Sequence, residues 1–159
     1  MPVMTTMTLL KPTPHLVALV QHFEGLRLSA YLDVAGVKTI GYGHTGTDFA
    51  LSDTWTEEQC ENAMRRDLAF ACAAVDKLVK VGLTQGQYDA LADFCYNAGA
   101  GKLAGSTLLR LTNAGRLDEA AEEFPKWCRA GNQVLRGLVA RRNAELNLWN
   151  DKNFSCSTT

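Results

Sequence analysis

Glu24, Asp33 and Thr39 are the residues whose types and spacing could do chemistry together. Glu24 falls in the last turn of an expected short helix, after Phe23 and before Gly25. A carboxylate there meets the negative end of the helix dipole and little water, and both favour its protonated form. A carboxylic acid that keeps its proton near neutral pH is what general-acid catalysis requires. Asp33 ends a predicted strand just before a turn, where a carboxylate stays solvated and ionised. Thr39 lies on the returning strand, and a hairpin turning through Val34-Ala35-Gly36 carries it back toward the level of Asp33. Two carboxylates in contrasting environments across a cleft form the arrangement used for glycoside hydrolysis. On spacing alone, an ordinary helix-end glutamate and an ordinary turn aspartate remain open.

The elements that must position these residues follow from the pattern of the chain. Three of the four prolines lie in the first 14 residues, and residues 1–11 read as a loose leader ahead of one domain over 12–159. Pro14 suits the first turn of a helix whose apolar face is Leu16, Leu19, Val20 and Phe23, and Gly25 stops it. Leu26 to His44 alternates β-branched and polar residues around a glycine turn, which predicts a β-hairpin. Thr56-Glu-Glu-Gln59 is a capping box opening a long helix over about 57–80, and Thr84-Gln-Gly-Gln87 opens another that stops near Gly99. Shorter helices are expected at about 106–112 and 117–124, and a final one at about 134–150. The predicted class is α+β: a small β-containing lobe over about 25–56, a connecting helix, and a larger helical lobe over about 81–150 joined by the N-terminal helix.

Composition narrows the function. A chain of 159 residues with a formal net charge of −1 lacks the basic surface with which nucleic-acid affinity begins. Gly43 to Met64 carries five acids and no Lys or Arg, whereas Lys102 to Arg142 carries eight bases against four acids. No run of about 18 apolar residues predicts a membrane span, and Met1–Lys11 lacks the makings of a secretory signal. Five cysteines without a C-x-x-C spacing favour free thiols over disulfides or zinc. Three histidines (His15, His22, His44) without ligand spacing give no metal site, and no cofactor is expected.

The string Glu24-Gly-Leu-Arg-Leu, Tyr31, Asp33, Thr39-Ile-Gly-Tyr-Gly-His44 resembles the signature of the phage-type lysozymes, or endolysins, of glycoside hydrolase family 24. The family's spacing of Glu, eight residues, Asp, five residues, Thr is met without a gap. Thr56-Glu-Glu-Gln59, Asp67-Leu68, Phe94-Cys-Tyr-Asn97-Ala-Gly and Gly137-Leu-Val-Ala-Arg141-Arg142-Asn-Ala-Glu145 extend the resemblance over about residues 15–150. It implies a lysozyme-like fold and a monomeric, metal-free muramidase. Glu24 would protonate the oxygen of the β-1,4 bond between N-acetylmuramic acid and N-acetylglucosamine in peptidoglycan. Asp33 and Thr39 would position and activate a water on the opposite face, giving inversion. The rivals are a lytic transglycosylase, which has no need of a water-activating pair, and a non-catalytic cell-wall-binding protein.

The same resemblance assigns supporting residues. Asp67 falls on the apolar face of the long helix, where a carboxylate needs a partner, and the family pattern sets His44 opposite it as a structural ion pair. One arginine of the final helix would reach back to Glu24, with Arg136 and Arg141 as candidates. Gly41 and Gly43 flank Tyr42, and their lack of Cβ would let a sugar approach the backbone, or simply give the loop its flexibility. Asn97 would line the saccharide groove, or simply end its helix. Trp55, Trp127 and Trp149 read as core. The enzyme is expected to wait in the host cytoplasm, without stable membrane association, until a separate holin admits it to the wall; some relatives instead carry a signal-anchor.

Overall fold

The structure, a computed structural model, describes residues 10–151. Helix α1 spans Pro14–Glu24. The Thr13 side chain caps it by accepting from the Leu16 amide, and Gly25 ends it at φ +66°, its own N–H closing on the Gln21 carbonyl. Leu16, Leu19 and Val20 are buried along one face, and Phe23 packs against the same core.

The chain then runs into an antiparallel sheet in the order β1 (Arg27–Leu32), β2 (Lys38–Gly41) and β3 (His44–Thr45). Tyr31 pairs with Thr39 and Leu32 with Lys38, and the register shifts between Arg27 and Tyr31. Asp33 and Val37 close the turn, with the Asp33 amide donating to the Val37 carbonyl at 2.9 Å. Side chains alternate faces along each strand, so Asp33, Tyr31 and Thr39 belong to one face of the hairpin.

Helix α2 (Glu57–Leu78) starts at the Thr56 capping box, and α3 (Gln85–Ala98) starts at the Thr84 box. In each box both reciprocal hydrogen bonds form. The elements α4 (Ala100–Ala104), α5 (Thr107–Asn113), α6 (Leu117–Ala121) and a 3-10 turn at Phe124–Lys126 follow. A small hairpin of β4 (Arg129–Ala130) and β5 (Gln133–Val134) leads into α7 (Arg136–Trp149). The connecting helix thus ends two residues before the expected position, and neither α4 nor the second hairpin was expected from the sequence.

The helical lobe holds the core. Met64, Leu68 and Val75 of α2 meet Leu91 and Phe94 of α3, Leu16 and Val20 of α1, and Leu148 of α7. Phe94, Phe124 and Trp149 pack edge-to-face, Phe94 to Phe124 at 6.2 Å and Phe124 to Trp149 at 5.4 Å between ring centres. Each such side chain, removed from water, contributes about 1.5–3 kcal/mol. Trp149 is buried as expected, whereas Trp127 is half-buried at the core's edge and Trp55 is half-buried against His44 and Phe49. Helices α3 and α7 pack closely at Gly86, where a Cβ would sit 2.0 Å from the Leu148 carbonyl oxygen. Cys60, Cys72, Cys95 and Cys128 are free thiols; Cys156 and most of the leader lie outside the described residues. No described helix is long and apolar enough to cross a membrane.

Candidate active site

Glu24 is the last residue of α1, and its side chain keeps 19% exposure. Its Oε1 accepts a hydrogen bond of 2.7 Å from Nη1 of Arg141, a guanidinium only 4% exposed on α7. The same guanidinium grips Asp93 of α3 with two bonds, Nε to Oδ2 at 2.9 Å and Nη2 to Oδ1 at 2.8 Å. Such a two-pronged pair fixes the guanidinium plane, and hence the direction in which Nη1 faces Glu24. Burial would raise the Asp93 carboxyl, but the adjoining Arg141 charge holds it below the usual range. Of the two arginines considered for this contact, Arg141 makes it; Arg136 begins α7 in an exposed position.

The sheet abuts the same carboxylate through Gly43, between β2 and β3. A Cβ on Gly43 would stand 2.4 Å from Oε2 of Glu24, and the residue adopts φ +74°. A Cβ on Gly41 would instead meet the Cys60 side chain at 3.2–3.3 Å. The room they leave is filled by Cys60 and by Glu24 itself.

Asp33 Oδ1 accepts from the amides of Ala35 and Val37 at 2.8 and 2.9 Å, which ties one carboxylate oxygen to the turn and fixes the side chain on the hairpin. Thr39 is buried, and its hydroxyl donates to the Val37 carbonyl at 2.9 Å while its oxygen lone pairs stay available. Tyr96 of α3 donates its hydroxyl to the Tyr42 carbonyl at 2.7 Å and so anchors the β2–β3 turn to the helical lobe. A cavity of about 240 Å³ opens beside Gly43, with Asp67, Phe70 and Tyr96 among its walls. A larger one, of about 610 Å³ between the start of α1 and α2, contains none of Glu24, Asp33 and Thr39.

His44 lies between two carboxylates, Nδ1 2.7 Å from Asp67 and Nε2 2.9 Å from Asp48. Carboxylates only accept, so each ring nitrogen must carry a proton and the ring is an imidazolium. Burial opposes that charge, but the bonds to Asp48 and Asp67 outweigh it and raise the imidazole above its ordinary value. Asp48 was not singled out in the sequence. Asn97 is exposed, and its Oδ1 accepts from Arg142 at 2.7 Å, so it serves the buried network on at least that side. Among the described residues, no three His, Cys, Asp or Glu side chains are grouped to hold a metal ion.

Asp93, Arg142 and Glu145 are buried charges that hydropathy reads as solvated. Their signal was weak: Asp93 interrupts the apolar run Ala-Leu-Ala-Asp-Phe-Cys, and Glu145 follows Arg141 and Arg142 at helical spacing.

The model of the phage lysozyme family matches residues 21–145, from the turn before Glu24 to Glu145. This chain belongs to the phage lysozyme family. An endolysin of Bacillus phage B103 is 46% identical over 146 residues, covering 89% of this chain and 56% of that protein. A SAR-endolysin of Bacteriophage PS119 is 38% identical over 79% of this chain and 77% of its own length. The muramidase domain of SpmX from Asticaccaulis excentricus superposes with a TM-score of 0.81 at 38% identity, over 88% of this chain and 97% of that one. The fold is therefore the lysozyme-like α+β fold. The chain spans a little over half the length of the Bacillus phage relative.

Proposed function

We propose that this chain is an endolysin muramidase that hydrolyses the β-1,4 bond between N-acetylmuramic acid and N-acetylglucosamine in peptidoglycan. The observation that carries the proposal is the Glu24 carboxyl group. It sits at the end of α1, bonded on one side to Arg141, packed on the other against Gly43, and still open to solvent. In this reading Glu24 delivers its proton to the glycosidic oxygen as the bond breaks. Asp33 and Thr39, on one face of the adjoining hairpin, hold and deprotonate the attacking water. An inverting enzyme needs its two carboxyl groups about 6.5–9.5 Å apart to leave room for that water, and inversion belongs to the proposal. His44 and Asp67 then have a structural role, and Gly41, Tyr42, Gly43, Asn97 and Arg141 shape and support the cleft, with Arg136 at its periphery.

The proposed partner is the glycan strand, bound by a monomer without metal or cofactor, and without nucleic-acid or stable membrane association. We also propose that the enzyme stays in the host cytoplasm until a separate holin admits it to the wall. Prompt lysis of cells expressing this chain alone would contradict that route. Clearance of permeabilised bacteria tests the activity itself. The unaltered chain should clear the suspension, and Glu24→Gln, which keeps size and polarity but has no transferable proton, should lose activity by about 10²–10⁴-fold. Clearance by the Gln variant at the unaltered rate would remove Glu24 from the mechanism.

A further inference from the structure

Asp93 and Glu145 are wholly buried, and their carboxyl groups are in hydrogen-bonding contact between α3 and α7. Both Asp93 oxygens already accept from Arg141. Glu145 Oε1 accepts from Arg142 Nη2 at 2.9 Å, whereas Glu145 Oε2 has no N–H or O–H donor. Two carboxylates touching in the absence of water repel strongly, and a single proton between them turns the repulsion into a hydrogen bond.

We propose that Glu145 is a neutral carboxylic acid in the folded protein, that its Oε2–H donates to Asp93, and that it thereby serves as a positioning residue for Glu24. The chain of contacts is Glu145 to Asp93, Asp93 to Arg141, and Arg141 to Glu24. The proton keeps Asp93 in place as the double acceptor that orients Arg141. Without it, Asp93 and Glu145 separate, the guanidinium turns, and Nη1 leaves its 2.7 Å contact with Glu24. The charged groups acting on Glu145 are Asp93 from α3 and Arg142 and Arg141 from its own helix, with Glu24 of α1 beyond Arg141. From the 3-10 turn, Lys126 pairs with Glu123. Burial pushes the Glu145 carboxyl upward and the Asp93 charge adds to it, while the two arginines offset part of that rise.

The positioning role rests on the catalytic reading of Glu24, whereas the protonation state does not, and two measurements separate them. The first compares the folding constants of the unaltered protein and Glu145→Gln from pH 5 to pH 8. Gln supplies the same donor and acceptor without titrating. The unfolded chain releases the Glu145 proton near pH 4.3 and the folded protein retains it. The ratio of folding constants, Gln variant over unaltered, should therefore rise by up to about tenfold per pH unit. A flat ratio, or a Gln variant that does not fold, overturns the protonation. The second measures kcat and KM on soluble glycan strands at pH 6. Glu145→Ala, or Glu145→Leu where a cavity prevents folding, should lower kcat by at least about tenfold with KM within about twofold, and Glu145→Gln should restore kcat to within about twofold. An equally impaired Gln variant, or a fully active Ala or Leu variant, overturns the positioning role. A rising ratio in a chain that cleaves no glycan would sustain the proton and sink only the catalytic reading.

Discussion

Gly43→Ala is the substitution that most directly probes how the Glu24 carboxyl is held. The new methyl group would sit 2.4 Å from Oε2 and 3.0 Å from Cδ of Glu24, so the carboxyl group must move by about 1 Å to restore contact distance. Glu24 is not free to move without loss, because Oε1 is bonded to Arg141 at 2.7 Å and Arg141 is itself locked to Asp93. A displacement of about 1 Å at a reacting group can cost about 10²-fold in rate. Backbone strain comes in addition: φ +74° costs a residue with a Cβ about 1–2 kcal/mol. For a chain of this size that corresponds to a fall in Tm of roughly 2–8 °C. Gly115→Ala is the control, since Gly115 shares φ +74° but has nothing within 4 Å of its would-be Cβ. Clearance assays and thermal unfolding should show the strain penalty in both variants and a larger loss of stability in Gly43→Ala, with activity lost only in Gly43→Ala. Equal activity in the two variants would refute the claim that Gly43 exists to seat Glu24.

Other substitutions should separate stability from chemistry. Asp67→Asn removes one of the two negative charges that flank His44 while keeping an amide oxygen as acceptor, and should cost about 1.5–3 kcal/mol, Asp48 retaining the other charge. The imidazole is raised in the folded state, so this stabilisation is fully present below about pH 6.5 and lost as pH rises through the raised value. Chemical denaturation should accordingly show the largest penalty at pH 5 and a smaller one at pH 8, and a penalty that grows with pH would contradict the pairing. Arg141→Met leaves Asp93 buried with neither of its Arg141 bonds and should cost about 3–5 kcal/mol, with activity falling further than the folded fraction does. Gly86→Ala forces the α3 and α7 backbones apart and should cost at least about 1–3 kcal/mol in urea unfolding while the folded fraction still clears cells.

Local signals were legible where they are strong. The two capping boxes set the starts of α2 and α3 to the residue, and Thr13, Pro14 and Gly25 bound α1. Helix α4 and the second hairpin escaped because they have no period to read: α4 is five residues containing one glycine, and each strand of that hairpin has two residues. The final helix was visible, but its buried face was not. Arg141, Arg142 and Glu145 are polar by composition; Arg141 is buried because Glu24 of α1 and Asp93 of α3 neutralise it, and Arg142 and Glu145 bond to each other beside that pair, which no single segment reveals. For the same reason the contact between Arg141 and Glu24, 117 residues apart, remained a choice between two arginines, and Asp93 was not seen at all. Gly41 and Gly43 were recognised as positions without a Cβ. What fills the space beside them depends on how the sheet packs against α2 and the end of α1, a tertiary fact.

The chemistry at the reducing end of the released fragments bears most directly on the central claim. Purified peptidoglycan digested with this chain should release muropeptides ending in free, reducing N-acetylmuramic acid, each one water heavier by mass spectrometry than its cyclised counterpart. Fragments ending in 1,6-anhydro-muramic acid would mean cleavage without water and would contradict the roles given to Asp33 and Thr39. No release of fragments at all would contradict the muramidase account as a whole.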